Sequence, residues 1–547
     1  METPAVPAAL APVVPDERIQ SLDVVRGFAL IGILVMNVEY FNRPIAQIGS
    51  GMQTGLAGAN LWVSYLVQYF VVGKFWTIFS LLFGMGFAVM LSRAERAGRD
   101  FLIPYLRRIV ALAIFGALHN IFLWSGDILF SYAVAAAALL IVLYGRPKWI
   151  ALAIAVCAGC GFVPGMNWFF GISGGLAFFG LAGWWLRGEQ RLECLGQKTM
   201  FGAILTLLGT SALIGAVILW VVPAAPREAR FGLPALGFAL LMLGYFTNKH
   251  HHDKPGRTWR LGVGIYCFSF FMMTATGAAM YFFPEKPAAV LTKADAQKAA
   301  ELAAERAKSR QERDERIAEE TRVLTRGTYR DALAMRAERW VKDAPKELGF
   351  ATLLISMFLI GTWFVRSGVM ENVRAHMPLF RKLAMIGLPA GIGLGLLGSA
   401  IALHPLPGAD GADGWQLASG LQMLGNLPAS LGYLSLVILM QHSAGAFNKI
   451  GVLAPFGHMA LTNYLSQSLI ASIFFFGYGF GHWGISRLSQ MLFVVVVIVL
   501  QVAFSHFWLA RFRYGPVEWL WRAATYWTIP PMRIRAASPL VALEKPA

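Results

Sequence analysis

The chain has 547 residues, of which 57% are hydrophobic and only 14% charged, and its mean hydropathy is +0.56. Soluble domains carry about 25% charged residues, and no soluble core of this length could hide so much apolar surface, so an ordinary soluble enzyme or binding module is excluded. The net charge of +17 implies no nucleic-acid partner, because Lys and Arg gather in alternate short loops between apolar stretches, where they report membrane topology.

The opening METPAVPAALAPVVP lacks a basic n-region and is interrupted by prolines, so it reads as a tail and not as a cleaved signal peptide. Apolar stretches of about 17 to 25 residues, each able to cross a hydrocarbon core of about 30 Å as a helix, recur along most of the chain. They are expected near Val24–Phe41, Lys74–Leu91, Tyr105–Trp124, Asp127–Tyr144, Lys148–Val163, Trp168–Leu186, Phe201–Val222 and Leu233–Phe246. A second set is expected near Leu261–Phe283, Phe350–Val365, Leu383–Leu403, Trp415–Met440, Val452–Phe476 and Gln490–Trp508. Leu56–Val72 is also apolar, but a crossing there would invert every later loop, so it reads as a re-entrant or interfacial helix. The fold class is therefore all-α, a polytopic transmembrane bundle of about 12 to 14 spans, with membrane lipid as its solvent.

With the N-terminus inside, the loops holding Arg93 to Arg108, Arg146 and Lys148, Arg187 to Lys198, Lys249 to Arg260, Arg366 to Lys382 and Arg511 to Arg535 share one side. Both termini are then cytoplasmic. Residues 1–20 and 511–547 form cytoplasmic tails, 21–283 and 348–510 form two transmembrane bundles, and 284–347 form a polar insertion. By helix count the insertion lies outside, since long loops cross regardless of charge. It reads as a solvated helical hairpin or as a lid over an outward-facing site. Its end, YRDALAMRAERW (Tyr329–Trp340), has the amphipathic spacing to lie back on the bundle.

Three patterns carry little chemistry. Gly393, Gly395 and Gly398 match a dinucleotide-binding motif but sit inside an apolar helix, where close helix packing explains them. Cys157 and Cys160 fit small-residue packing, and His250, His251 and His252 read as solvated loop histidines, so no metal site is expected.

The informative residues are the polar ones that a membrane penalises. Asp23 and Arg26 share one face at the entrance of the first span, as an interfacial ion pair or as ligand-binding groups. Asn37 and Glu39 lie near its outer end, where an acid requires water, a partner or a raised pKa. Ser80 lies in the small-residue run KFWTIFSLLFGMG (Lys74–Gly86). In GALHNIFLWSGDILFSY, His119 and Asp127 flank a tight corner, and a carboxylate there can orient an imidazole for general-base work. Thr462, Asn463, Ser466 and Gln467 form one polar stripe that either glues helices or lines a cavity. Glu518 and Arg522, in YGPVEWLWR, either anchor the last helix or close a site against Asp23 and Arg26.

SLDVVRG, FSLLFGMGFA, LHNIFLWSGDIL, GHMALTNYLSQS and YGPVEWLWR together resemble the YeiB family of bacterial membrane proteins across nearly the whole chain. That family is similar to a superfamily that includes heparan-α-glucosaminide N-acetyltransferase and bacterial membrane O-acyltransferases. The resemblance implies a bacterial inner-membrane location and transfer of an acyl group from cytoplasmic acyl-CoA to an acceptor on the far side. Arg26 matches the superfamily's first-helix Arg, and Asn37 stands where the O-acyltransferases carry His and the heparan enzyme Asn. The heparan enzyme's catalytic His has no counterpart in Phe41–Gly51, which makes His119 the substitute.

The resulting expectation is a membrane acyltransferase using acetyl-CoA or another acyl-CoA, with an extracytoplasmic carbohydrate or similar acceptor; a homodimer is left open. His119, Asp127, Asn37 and Glu39 form the expected catalytic set. Asp23, Arg26, Arg107, Arg108, Ser80, Asn463, Ser466, Gln467, Glu518 and Arg522 form the expected donor-binding set. The alternative is a secondary transporter or flippase, since buried acids and histidines also build proton relays.

Overall fold

The computed structural model describes residues 19–194, 197–221, 227–283, 293–404 and 413–534. Helix α1 (Gln20–Asn37) runs into a 3-10 turn at Val38–Phe41. The Leu56–Val72 stretch becomes a short helix, α2 (Gly58–Leu66), extended by a π turn at Val67–Val71. Gly73, with φ +86°, then breaks the chain before α3 (Lys74–Arg96). Glycine adopts that φ without a Cβ clash, which lets two apolar helices meet without a loop.

Helices α4 (Leu102–Phe122), α5 (Leu129–Tyr144), α6 (Pro147–Gly161) and α7 (Trp168–Arg187) follow. A hairpin of β1 (Arg191–Cys194) and β2 (Gln197–Met200) pairs Arg191 with Met200 and adds a small strand element to the expected all-α chain. Next come α8 (Phe201–Val221), α9 (Arg227–Lys249) and α10 (Arg257–Phe282). The insertion folds as α11 (Lys293–Arg326) and α12 (Tyr329–Asp343), joined at a capping box of Thr328 and Asp331. The chain then forms α13 (Glu347–Arg366), α14 (Met377–Lys382), a π turn at Leu383–Gly387, α15 (Leu388–Ile401) and α16 (Trp415–Gln441).

The expected single span Val452–Phe476 is broken. A 3-10 turn at Ala446–Leu453 leads to α17 (Ala454–His458), Met459 (φ −99°, ψ 35°) leaves helical geometry, and α18 (Ala460–Phe475) starts afresh. The break exposes the first amides of α18 inside the bundle, where they need acceptors. Helices α19 (Arg487–Leu509) and α20 (Pro516–Tyr526) complete the fold.

Among the described residues, eleven helical stretches are long and apolar enough to cross a membrane, and α5 and α6 are shorter apolar helices. Outer helices turn large apolar side chains outward, as at Leu207, Val217, Leu492 and Val499. Such faces are stable only in lipid, so the chain is a polytopic helical membrane protein. Its centre is α1, whose Val24, Val25, Ala29 and Leu30 are fully buried. Gly27 packs on the Leu453 backbone and Gly457 on the Asp23 backbone, with no room for a Cβ at either place. These contacts bring the broken α17–α18 segment against the entrance of α1.

Candidate functional site

The corner between α4 and α5 builds a buried dyad. His119 Nδ1 lies 2.8 Å from Asp127 Oδ1, and His119 is 2% exposed. Asp127 is itself fixed, because its Oδ2 accepts from the Phe130 amide in the first turn of α5 at 2.9 Å. Gly116 allows the approach: a Cβ there would strike the Phe130 amide and Asp127 Oδ2. His119 Nε2 has no hydrogen-bond partner among the described residues. A carboxylate on Nδ1 fixes the tautomer that leaves Nε2 as a proton acceptor.

A cavity of about 220 Å³ opens among α1, α3, α4, α5, α18 and α20. Its mouth carries Arg26, Arg93, Arg108 and Arg522 with Asp23 and Glu518, four guanidinium groups against two carboxylates. The body is apolar, with Phe79, Leu82, Phe83 and Leu112, and the far end reaches Ile33, Ile128, Tyr132 and Tyr464. Ile128 is the neighbour of Asp127, Ile33 lies one turn before Asn37, and the Tyr464 ring centroid is 5.1 Å from that of His119. The cavity therefore runs from an arginine-rich end toward the layer that holds the dyad, with Ile128 and Tyr464 on its wall and His119, Asp127 and Asn37 behind that wall.

Several expected site residues meet in this arrangement and others do not. Arg26 Nη1 binds Asp23 Oδ1 at 2.7 Å, so the entrance pair forms and lines the mouth. Arg108 stacks over Trp521 at 4.2 Å and Arg522 over Tyr514 at 4.6 Å, which holds both guanidinium groups in place. Arg107 is corrected: it is exposed on the other face of α4 and packs over Trp527 at 5.2 Å, outside the cavity. Ser80 is also corrected, since it donates to Trp76 O at 2.8 Å and to Tyr132 Oη at 3.3 Å and so positions a lining residue without lining the cavity.

The polar stripe of α18 is helix glue. Asn463 Nδ2 donates to Phe456 O and Ser505 Oγ, and Gln467 Nε2 donates to Gln501 Oε1 at 3.0 Å. Gln501 Nε2 donates to Asn463 O and, at 2.8 Å, to Ser466 Oγ. Asn463, Ser466 and Gln467 are thus committed to α17 and α19, while Ala460, Leu461 and Tyr464 line the cavity. The 3.6-residue period puts 461 and 463 on opposite faces. Glu39 is corrected too: Arg43 Nη2 lies 2.8 Å from its Oε1 and Arg487 Nη2 3.3 Å from its Oε2, a buried triad apart from the dyad. Asn37 is buried where α1 ends, at the His119 end of the bundle, as the Trp124 Nε1 bond to Tyr40 O shows.

The insertion also docks at the dyad's end. Arg336 of α12, 2% exposed, donates to Ile121 O at 3.0 Å, Leu123 O at 3.2 Å and Phe122 O at 3.5 Å, capping the helix that carries His119. Tyr329 Oη adds a bond to Phe122 O at 2.9 Å. The expected amphipathic return onto the bundle is present.

Comparison with known proteins follows this architecture. A family profile described as "Protein of unknown function (DUF418)" matches residues 364–528. The chain is 26% identical over 525 residues to "Uncharacterized protein YxaH" of Bacillus subtilis, covering 95% of the chain and 97% of that protein. It is 24% identical over 539 residues to "Uncharacterized protein YeiB" of Escherichia coli, covering 96% and 98%. Over nearly its whole length the chain is thus similar to YxaH and YeiB. A third relative, "Uncharacterized 39.9 kDa protein in amylase 3'region" of Bacillus acidopullulyticus, is 38% identical over 122 residues, 22% of this chain and 33% of that protein. No solved structure matches.

The profile covers only one wall of the cavity, with Tyr464, Glu518 and Arg522, while Asp23, Arg26, His119 and Asp127 lie before it. Sequence reasoning passed over Arg93, Tyr132 and Tyr464 as site residues. Arg93 looked like one more topology-setting cation, and the two tyrosines carried no local signal.

Glu518 has a structural task at the mouth. Its Oε1 accepts from the Leu461 amide at 2.6 Å and the Thr462 amide at 3.0 Å, and its Oε2 from Thr462 Oγ1 at 2.5 Å, so it caps the restarted α18. Burial pushes this carboxyl above its ordinary 4.5, against the lowering effect of the Thr462 bonds. The native state therefore keeps a proton that the unfolded chain has released, and stability falls as pH rises from 4.5 toward the raised value. Melting curves in detergent between about pH 4 and pH 8 are expected to show this decline, and Glu518→Gln is expected to flatten it.

Proposed function

We propose that the chain is an acyl-CoA-dependent membrane acyltransferase, seated in a bacterial inner membrane with the arginine end of the cavity and both termini in the cytoplasm. The observation that supports this reading most is the cavity's polarity: an arginine mouth at one end, and at the other the layer of a His–Asp dyad with an open Nε2. Arginine forks suit the phosphates of CoA, and the narrow apolar body suits the pantetheine arm and thioester. The arm runs along Leu82, Leu112 and Leu461 and not along the polar stripe.

In the reaction, His119 Nε2 takes the proton from an acceptor hydroxyl or amine as that atom attacks the thioester carbonyl. The C–S bond then breaks, and the CoA thiolate recovers the proton from the imidazolium. Asp127 holds Nδ1 and stabilises the imidazolium, and Asn37 is the candidate donor to the oxyanion. The acceptor, a carbohydrate or similar molecule, arrives from the end that α12 covers.

Purified protein in nanodiscs is expected to bind CoA, with affinity falling as salt rises. Arg108→Gln is expected to weaken binding by about tenfold, the effect of losing one charge-assisted phosphate contact. Calorimetric titration reads both. Absence of CoA binding, or uptake of a labelled solute into proteoliposomes without CoA, overturns the reading and favours a carrier.

A further inference from the structure

A second cavity, of about 630 Å³, lies away from the arginine cavity among α7, α8, α9, α10 and the start of α13. It follows α7 from Gly171 to Trp185, about 21 Å at the helical rise, which is longer than half of a hydrocarbon core of about 30 Å. Glycines hollow its walls: a Cβ added at Gly174 or Gly349 would meet nothing within 4 Å. The length, the apolar lining and the position among spanning helices suit an acyl chain.

One end is polar, and its polar groups are incompletely used. Arg257 is 4% exposed. It donates through Nη1 to Gly188 O and through Nη2 to His251 O, both at 2.7 Å. Its Nε has no partner, and no carboxylate pairs with it among the described residues. Its neighbour Arg260 differs, since Asp253 neutralises it at 2.8 Å. Gln190, also on the wall, is 1% exposed and sits at φ 59°, a left-handed conformation that side chains other than glycine rarely take. Its Nε2 donates to Trp185 O at 3.2 Å, and its Oε1 has no donor among the described residues.

A buried guanidinium without a counter-charge favours an anion. An orphan amide oxygen calls for a hydroxyl or N–H. A cavity that offers these two beside a long apolar tract matches an amphiphile carrying both features in its head group.

We infer that this cavity binds one anionic phospholipid with a hydroxylated head group, its phosphate on Arg257, a hydroxyl donating to Gln190 Oε1, and one acyl chain along α7. The inference stands apart from the acyl-transfer reading, because none of these residues lines the arginine cavity. A free phosphate would leave the apolar tract unused, so the lipid is the source of the anion.

The test uses the full chain in dodecyl maltoside, titrated by native mass spectrometry with dioleoyl phosphatidylglycerol, dioleoyl phosphatidylcholine and glycerol 1-phosphate. Phosphatidylglycerol is expected to bind as a single adduct about tenfold or more tighter than phosphatidylcholine, and glycerol 1-phosphate is expected not to compete. Arg257→Gln should bring phosphatidylglycerol down to the phosphatidylcholine level. Gln190→Gly, which keeps the positive φ without strain, should weaken phosphatidylglycerol alone, and Gly174→Leu should weaken both lipids by filling the groove. Equal binding of the two lipids, or glycerol 1-phosphate binding as tightly as phosphatidylglycerol, overturns the inference. If Arg257→Gln does not fold, unchanged phosphatidylglycerol affinity in both Gln190→Gly and Gly174→Leu overturns it.

Discussion

Replacing His119 by Gln is expected to lower acyl transfer from acetyl-CoA by about 10²- to 10⁴-fold, with CoA affinity unchanged within about twofold. The imidazole is the group the proposed chemistry requires in that layer, since Nδ1 is committed to Asp127 at 2.8 Å and Nε2 is the open acceptor. Gln is preferable to Ala because His119 is 2% exposed, and deletion would leave both a void and a buried carboxylate without its partner. Asp127→Asn should lose activity comparably, because an amide no longer fixes the productive tautomer or stabilises the imidazolium. Transfer of labelled acetyl groups, measured beside the melting temperature, separates chemistry from folding. Full turnover by a folded His119→Gln protein would remove the dyad from the mechanism.

Glu39→Ala is expected to destabilise the fold by about 3–5 kcal/mol, the usual consequence of leaving buried charges without their partner. Arg487 is 2% exposed and Arg43 6%, and both face Glu39. With the carboxylate gone, two guanidinium groups remain in a low-dielectric layer. The triple variant Glu39→Gln, Arg43→Gln, Arg487→Gln removes all three charges together and is expected to recover much of the melting temperature and of the acyl transfer. That recovery distinguishes an acid that holds the structure from one that handles protons, because a catalytic carboxylate would not be replaced by neutralising its partners.

The membrane character, the basic loops and the docking face of Tyr329–Trp340 were legible in the sequence, because each depends on local composition or a helical period that packing does not alter. The His119–Asp127 pair was legible for a related reason: eight residues and one tight corner separate them, and Gly116 opens the space. The entrance pair of Asp23 and Arg26 likewise follows from spacing along one helix.

Other assignments depended on partners far along the chain. The charge of Glu39 looked like chemistry until Arg487 arrived from a helix more than four hundred residues later. Asn463, Ser466 and Gln467 made a stripe whose meaning was decided by Gln501 and Ser505 on α19, and Ser80 was drawn to Tyr132 in the same way. The break at Met459, which turns one expected span into a capped restart, required Glu518 to supply acceptors that no local residue offers. Sequence by itself determined that the chain lives in lipid, which residues the lipid makes expensive, and the short-range dyad, since hydropathy and helical spacing are local quantities. Only the tertiary structure decided which expensive residues answer one another and which face the cavity, since a buried polar group takes its role from the partner that satisfies it.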